Sequence, residues 1–567
     1  MMSSKLSQAL CWNVAILSLI LFFTTLQTTG WAQSSQDEER WKTDPRLSEG
    51  QIAPLLNGMG EHTHPVTAAS DRVQLFFDQG LNLTFGFNHA EAIRAFQETA
   101  RLDPNCAMAY WGMALAYGPN INSRMGPENA KKAYESIQKA VSLKPLVSQQ
   151  ERDYIDALAR RYSDDEDVDQ HEMDKAYASA MAELSRKYPD DLDVATLHAA
   201  SIMNVNPWPG HEYWSKDGTP REGSTEFVAI LESVIARDIR HPGANHYYIH
   251  AVEASPVPEL AVPSADRLEE LMPGVGHMVH MPSHVYIRVG RYADASESNR
   301  KAIEADEDYI EQCNAQGIYP LGYYPHNIHF LWASATLEGR SAVAIDSARK
   351  VAAKVLEKDR GVTLRFLAPE LYALVHFGKW QEILAHPEPS GNLALTAIWH
   401  YARGMALRAE GKLDEASREL DSLIRIGNDS AIEQLRGQAN PASAILPIAH
   451  HILAGEIAAK RGNFATAISH LDTAVRFEDG LVYTEPADWN SPARHYLGAV
   501  LLEAGRTFEA EVVYWEDLRH NPENGRALFG LMESLQTQGK NALAANIERR
   551  FQKAWSQADV KLESSRF

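Results

Sequence analysis

Seven of the 22 histidines fall between His246 and His329, in three short segments that hold the chain's densest set of metal-binding side chains. His246, His250 and Glu253 stand at intervals of four and three, His277, His280 and His284 at three and four, and His326 and His329 at three. On a helix, at about 100° per residue, the members of each set lie within about 60° of one another and form one stripe. Neutral imidazole is the commonest protein ligand for borderline metals, and histidines four apart on a helix reach one ion. The expected ligands of a divalent zinc, copper or iron ion are therefore His246, His250, His277, His280, His284, His326 and His329. If the centre is catalytic, its ion polarises a substrate oxygen or activates water, with Glu253 or an unligated histidine as general base. Arg288, four residues after His284, is expected to pair with an anionic substrate group. Tyr247, Tyr286 and Tyr324, with Tyr248 and Tyr323 beside them, are expected to orient a cofactor or brace the imidazoles.

A second reading needs no metal: the same histidines contact a peptide, protein or small molecule directly, and the chain is a non-enzymatic scaffold. No H-E-x-x-H or C-x-x-C spacing decides between the two, and there is no G-x-S-x-G elbow, Walker A loop or G-x-G-x-x-G turn. Ser283 holds a small-residue packing position between helices rather than that of a nucleophile. In the stretch YTEPADWNSPARH, Glu485, Trp489 and His495 form a secondary candidate, with His495 as a further cofactor contact. His400 and His451 are expected in the core, and His62 and His64 in a solvated tail or a metal-binding tip.

These side chains need elements to carry them, and the surrounding sequence reads as paired amphipathic helices. In Asp71 to Pro104, Gly80, Ala92, Phe96 and Pro104 mark a helix-turn-helix unit. From Ser491 to Pro522, the residues Gly498, Leu501, Gly505, Ala510, Tyr514 and Pro522 repeat it. A turn glycine with an alanine five residues on recurs as Gly290/Ala295, Gly339/Ala344, Gly411/Ala416, Gly462/Ala467 and Gly539/Ala544, while Gly404 and Gly455 fall on the close-approach position. The pattern resembles the tetratricopeptide repeat. That resemblance implies an all-α solenoid whose first helices line a concave groove, and a peptide or protein partner bound there. In that register His277, His280 and His284 take the second, fifth and ninth repeat positions, and His326 and His329 the second and fifth, which in the family face the groove. Pro282 is disfavoured inside a helix, so the helix is expected to begin near Met281, leaving His277 and His280 on an entering loop.

The chain of 567 residues has 45% hydrophobic and 23% charged content, enough to fold throughout. With 54 Lys plus Arg against 75 Asp plus Glu, a net charge of -21 and no basic block, it is not expected to bind nucleic acid. The apolar run Val14 to Phe23, followed by Gly30 and Ala32, reads as a cleaved signal peptide or, alternatively, an uncleaved anchor. An exported protein is expected, periplasmic or secreted if bacterial, without a stable membrane span after cleavage. Cys106 and Cys313 are read as buried single thiols rather than a disulfide framework. The expected organisation is signal peptide 1–32, polar lead-in 33–70, degenerate repeats 71–240, histidine-rich repeats 241–356, C-terminal repeats 357–556 and polar tail 557–567.

Overall fold

The computed structural model of the protein describes residues 50–165, 167–206, 213–313, 319–356, 364–437 and 439–567. The expected signal peptide and the start of the lead-in lie outside the described residues. Within them every regular element is a helix, and β pairing is confined to isolated bridges.

Two compact units divide the chain. One spans Thr63–His211 with part of the lead-in and Cys313–Tyr319, and the other spans Glu212–Gln312 and Pro320–Phe567 with Leu56–His62. The first holds α1 (Asp71–Phe85), α2 (His89–Leu102), α3 (Ala107–Tyr117), α4 (Pro127–Leu143), α5 (Gln149–Leu158), α6 (Gln170–Lys187) and α7 (Leu192–Val205). The second begins with α8 (Ser224–Arg237), α9 (Pro242–Val252), α10 (Val262–Leu271), α11 (Gly276–His280), α12 (Pro282–Arg288), α13 (Tyr292–Cys313), α14 (Tyr324–Glu338) and α15 (Ser341–Leu356). It continues with α16 (Leu364–Leu367), α17 (Pro369–His376), α18 (Trp380–Ala385), α19 (Leu393–Ala409), α20 (Leu413–Gly427), α21 (Ala442–Lys460) and α22 (Phe464–Gly480), and ends with α23 (Ala493–Glu503), α24 (Thr507–His520), α25 (Gly525–Thr537) and α26 (Asn541–Ala554).

The repeat grammar is visible as packing. A Cβ on Gly80 or Gly112 would lie 2.6 or 2.4 Å from the Phe96 ring, and one on Gly498 or Gly530 would lie 2.4 or 2.1 Å from Tyr514. In each unit, then, an aromatic ring from a second helix is gripped by glycines of the first helices on either side, an approach that any side chain there would block. The turn glycines Gly290, Gly339, Gly411, Gly462, Gly505 and Gly539 all have positive φ, which ends the first helix and reverses the chain. Their alanine partners Ala295, Ala344, Ala416, Ala467, Ala510 and Ala544 are buried. The fold is the all-α, tetratricopeptide-like solenoid architecture expected from these positions. Helices run through the degenerate stretch as well, α6 packing against α7 as a hairpin.

Several expectations change. His64 is no solvated tail: its Nδ1 lies 2.8 Å from Asp193 and its backbone N–H donates to Asp78. His400 and His451 are not core residues but half-buried ones, paired with Glu419 and His470. The C-terminal tail is docked: the Ser565 hydroxyl meets that of Tyr514 at 2.7 Å, and Arg566 reaches Glu456 and Glu503. Cys106 is a free buried thiol, pushed up to about 11 by burial; the side chain of Cys313 lies outside the described residues. Among the described residues one helix, α21, is long and apolar enough to cross a membrane, and 67% of its apolar window is buried.

Candidate metal centre

Six of the seven central histidines come together in the second unit. Pro282 does not push His277 and His280 onto a loop. They sit on the short helix α11, and Met281, with φ -53° and ψ -34°, carries the chain on into α12 with the proline at its first position, where no N–H is needed. The stripe expected of His277, His280 and His284 nonetheless divides. His277 joins His246 and His250 of α9, while His280 and His284 join His326 of α14; within each triad the ligand atoms lie within 4.8 Å of one another. His246 and His280 are 0% exposed and His284 7%, so these residues are enclosed rather than lining an open groove wall.

In the second triad a hydrogen bond orients His280 and an ion-pair contact flanks His284. Asn299 donates its Nδ2 to the Ala295 carbonyl, which turns its Oδ1 toward His280 Nδ1 at 2.6 Å. His280 therefore carries its proton on Nδ1 and presents a bare Nε2, 2.9 Å from His284 Nε2. His284 Nδ1 lies 2.8 Å from Glu253 and 2.5 Å from Glu485. Phe330 packs against all three imidazoles, with ring centroids 4.5–5.1 Å away.

Charge follows this geometry. Burial and the neighbouring imidazoles hold His277, His280 and His326 well below the ordinary histidine value, so they are neutral with lone pairs available. Burial opposes a charge on His284 as well, but the carboxylates of Glu253 and Glu485 outweigh it and raise the imidazole to about 10. Burial also disfavours charge on Glu253, yet His284 and His250 hold its carboxyl below the usual range.

Other candidates take different roles. Both Glu253 oxygens face imidazoles, Oε1 to His250 Nδ1 at 3.1 Å and Oε2 to His284; so engaged and so acidic, it orients ligands and is a poor general base. Arg288 is turned inward, donating to the carbonyls of Glu253 at 2.6 Å and Ser255 at 3.3 Å and lying over the Tyr483 ring, which removes it from an anionic substrate. Tyr286 donates to Asp266 and Tyr324 to Glu307, away from the cluster; Tyr323, one residue earlier, packs on His277 at 4.6 Å. Tyr247 lies beside His246 with centroids 5.4 Å apart. His329 is separate from both triads, stacked on Trp332 and flanked by Phe366. His495 is bound to Asp517 at 3.0 Å, outside the centre. Ser283 is buried, its hydroxyl 3.3 Å from His280 Nδ1.

Asn299, Phe330 and Glu485 are the members that carry the geometry without having been expected as site residues, although Glu485 stood in the secondary candidate. In the first unit His64 groups with Asp191 and Asp193. There Asp191 already accepts from Tyr154 and Gln150 and caps α7, as in an ordinary polar network.

No family model and no curated protein matches the sequence. Among solved structures, yeast Tom70 is similar over 85% of this chain and 90% of its own at 11% identity and TM-score 0.27. The TPR domain of P58(IPK) is similar over 83% and 99% at 15% identity and TM-score 0.23. A Rap protein complexed with competence and sporulation factor is similar over 68% and 93% at 11% identity and TM-score 0.33.

Proposed function

We propose that this is a metal-binding repeat protein whose His280, His284 and His326 hold one borderline divalent ion, zinc, copper or iron. The observation that supports the reading is the pair of Nε2 atoms facing each other at 2.9 Å while His280 Nδ1 is hydrogen-bonded to Asn299 Oδ1 and His284 Nδ1 lies within 2.8 Å of carboxylate oxygens. Metal-bound histidines are characteristically oriented this way, with the distal N–H on a carboxylate or amide oxygen. In the metal-free chain a proton on His284 Nε2 bridges the two nitrogens, and an ion takes that proton's place. The buried carboxylates of Glu253 and Glu485 balance a dication there, which lowers the cost of burying it. Three protein ligands leave a coordination position for water or substrate, the chemistry such an ion supplies. The chain's own part is to set the ligands, compensate the charge and exclude bulk solvent. Export is part of the same reading and rests on the apolar segment within residues 1–32; N-terminal sequencing of the secreted product tests it.

Metal-depleted protein titrated with Co(II) is expected to bind with ligand-field absorption, and zinc to displace the cobalt. His280→Ala/His284→Ala is expected to lose this with its helical circular dichroism intact. Absence of stoichiometric zinc, copper, cobalt or iron binding refutes the proposal and leaves the scaffold reading, in which peptide or protein binding survives the double substitution.

A further inference from the structure

Deepening that reading, we infer that the centre holds two ions, the second on His246, His250 and His277, with Glu253 as the carboxylate that orients one ligand of each. His246, His250 and His277 are all buried and bring their ligand atoms within 4.8 Å of one another, the same convergence as in the first triad. They come from two elements, α9 and α11, so no single helical stripe accounts for the meeting. His250 Nδ1 meets Glu253 Oε1 at 3.1 Å, while Glu253 Oε2 lies 2.8 Å from His284 Nδ1 as an ion pair. A single carboxylate therefore touches one histidine of each triad, by a hydrogen bond on one side and an ion pair on the other.

The two sites adjoin. Ring centroids across the divide are 6.0 Å apart both for His277 and His280 and for His250 and His284. The bridge itself is braced, because Arg288, one helical turn after His284, donates to the Glu253 carbonyl at 2.6 Å. Glu485, in contrast, reaches only the His284 side. The class of ligand is a pair of borderline divalent cations, and a group bound between them would be one able to span two ions, such as a carboxylate or phosphate oxygen pair.

The test uses the full chain, metal-depleted and reloaded with Cu(II), with stoichiometry by elemental analysis and spin interaction by EPR. Two ions per chain and a dipolar-broadened spectrum are expected. His246→Ala/His277→Ala should retain one ion with an isolated spectrum, and His280→Ala/His326→Ala should likewise retain one. Glu253→Gln should weaken both sites by about 10- to 100-fold and Glu485→Gln only the His280/His284/His326 site. One ion in the parent chain, unaffected by His246→Ala/His277→Ala, overturns the two-ion inference while leaving the single site standing. No bound ion overturns both. Equal affinities in Glu253→Gln and the parent overturn the shared role of the carboxylate. If the double alanine variant loses its helical signal, His277→Gln alone decides between two ions and one.

Discussion

Gly276→Ala is expected to damage the centre from behind. Gly276 opens α11, the five-residue helix that carries both His277 and His280. A Cβ at Gly276 would lie 1.8 Å from Asp306 Oδ1, 2.5 Å from its Cγ and 2.9 Å from the Ala302 carbonyl. The two groups must part by more than an ångström before reaching even a tight contact. Asp306 cannot simply swing aside, since it is 0% exposed and accepts from Asn327 at 2.7 Å, and the backbone oxygen behind it is fixed in α13. Replacing glycine by alanine in a helix ordinarily stabilises by about 0.4–1 kcal/mol, whereas overpacking a dense interior costs about 1–3 kcal/mol; overpacking wins. The variant should therefore unfold at lower urea concentration. Because the displaced element holds a ligand of each triad, metal affinity should fall by about 10- to 100-fold, the range seen when supporting groups are disturbed. Urea unfolding of the metal-free chain and chelator competition for the loaded one measure the two effects separately. Adding Asp306→Ala should recover part of the affinity by opening space. Parent-like unfolding and affinity in Gly276→Ala would show that Asp306 does not set the position of α11.

Three further outcomes follow from the same geometry. Asn299→Leu removes the acceptor that fixes His280 as the Nδ1–H tautomer, so affinity at the His280/His284/His326 site should drop by about 10- to 100-fold, read by competition with a chromophoric chelator; no change would place tautomer control elsewhere. His329 and His376 are held neutral, chiefly by burial and then by Arg365 for the first and by Arg526 and His495 for the second. Below about pH 6.5 the unfolded chain takes up protons that the folded chain refuses. Stability should fall as pH falls through that value, by up to about 1.4 kcal/mol per pH unit for each group; urea titrations at pH 7 and 5.5 on His329→Leu and His376→Leu should show a shallower pH dependence than in the parent. Finally, Glu456 is 0% exposed and paired with Arg408 and Arg566. Glu456→Gln strands the buried Arg408 guanidinium, leaves Arg566 to Glu503 alone, and should cost about 3–5 kcal/mol, measured by urea unfolding. A cost under 1 kcal/mol would mean that water reaches the pair.

The parts of the fold legible in sequence are those enforced between neighbours along the chain. A turn glycine and a buried alanine five residues later are required by each hairpin separately, so Gly290/Ala295 and Gly462/Ala467 announce themselves without knowledge of the rest. The histidine segments are legible for a related reason, since spacing on one helix predicts which side chains share a face. Prediction degrades where a second element decides. His280 and His284, four apart, turn by about 40° and meet, whereas His326 and His329, three apart, turn by about 60° the other way, and α16 supplies Phe366 to bury the second of them. The division of the triads is of this kind too: α9 gathers His277 and α14 gathers His280 from the same short helix, with the two rings only 6.0 Å apart, a partition that no count along the sequence contains. Between Tyr323 and Tyr324 a rotation of about 100° separates the ring on His277 from the hydroxyl on Glu307. Glu485 lies farthest from local inference, because its approach to His284 depends on how the loop between α22 and α23 meets the central repeats. Its sequence signal is a carboxylate in an aromatic, proline-bearing connection, and what assigns it is the chemistry it meets. The second oxygens of the two carboxylates have their own donors, His250 for Glu253 and Tyr483 for Glu485, so what the two share is the His284 ring alone, and an ion on its Nε2 would strengthen the positive charge that holds both there.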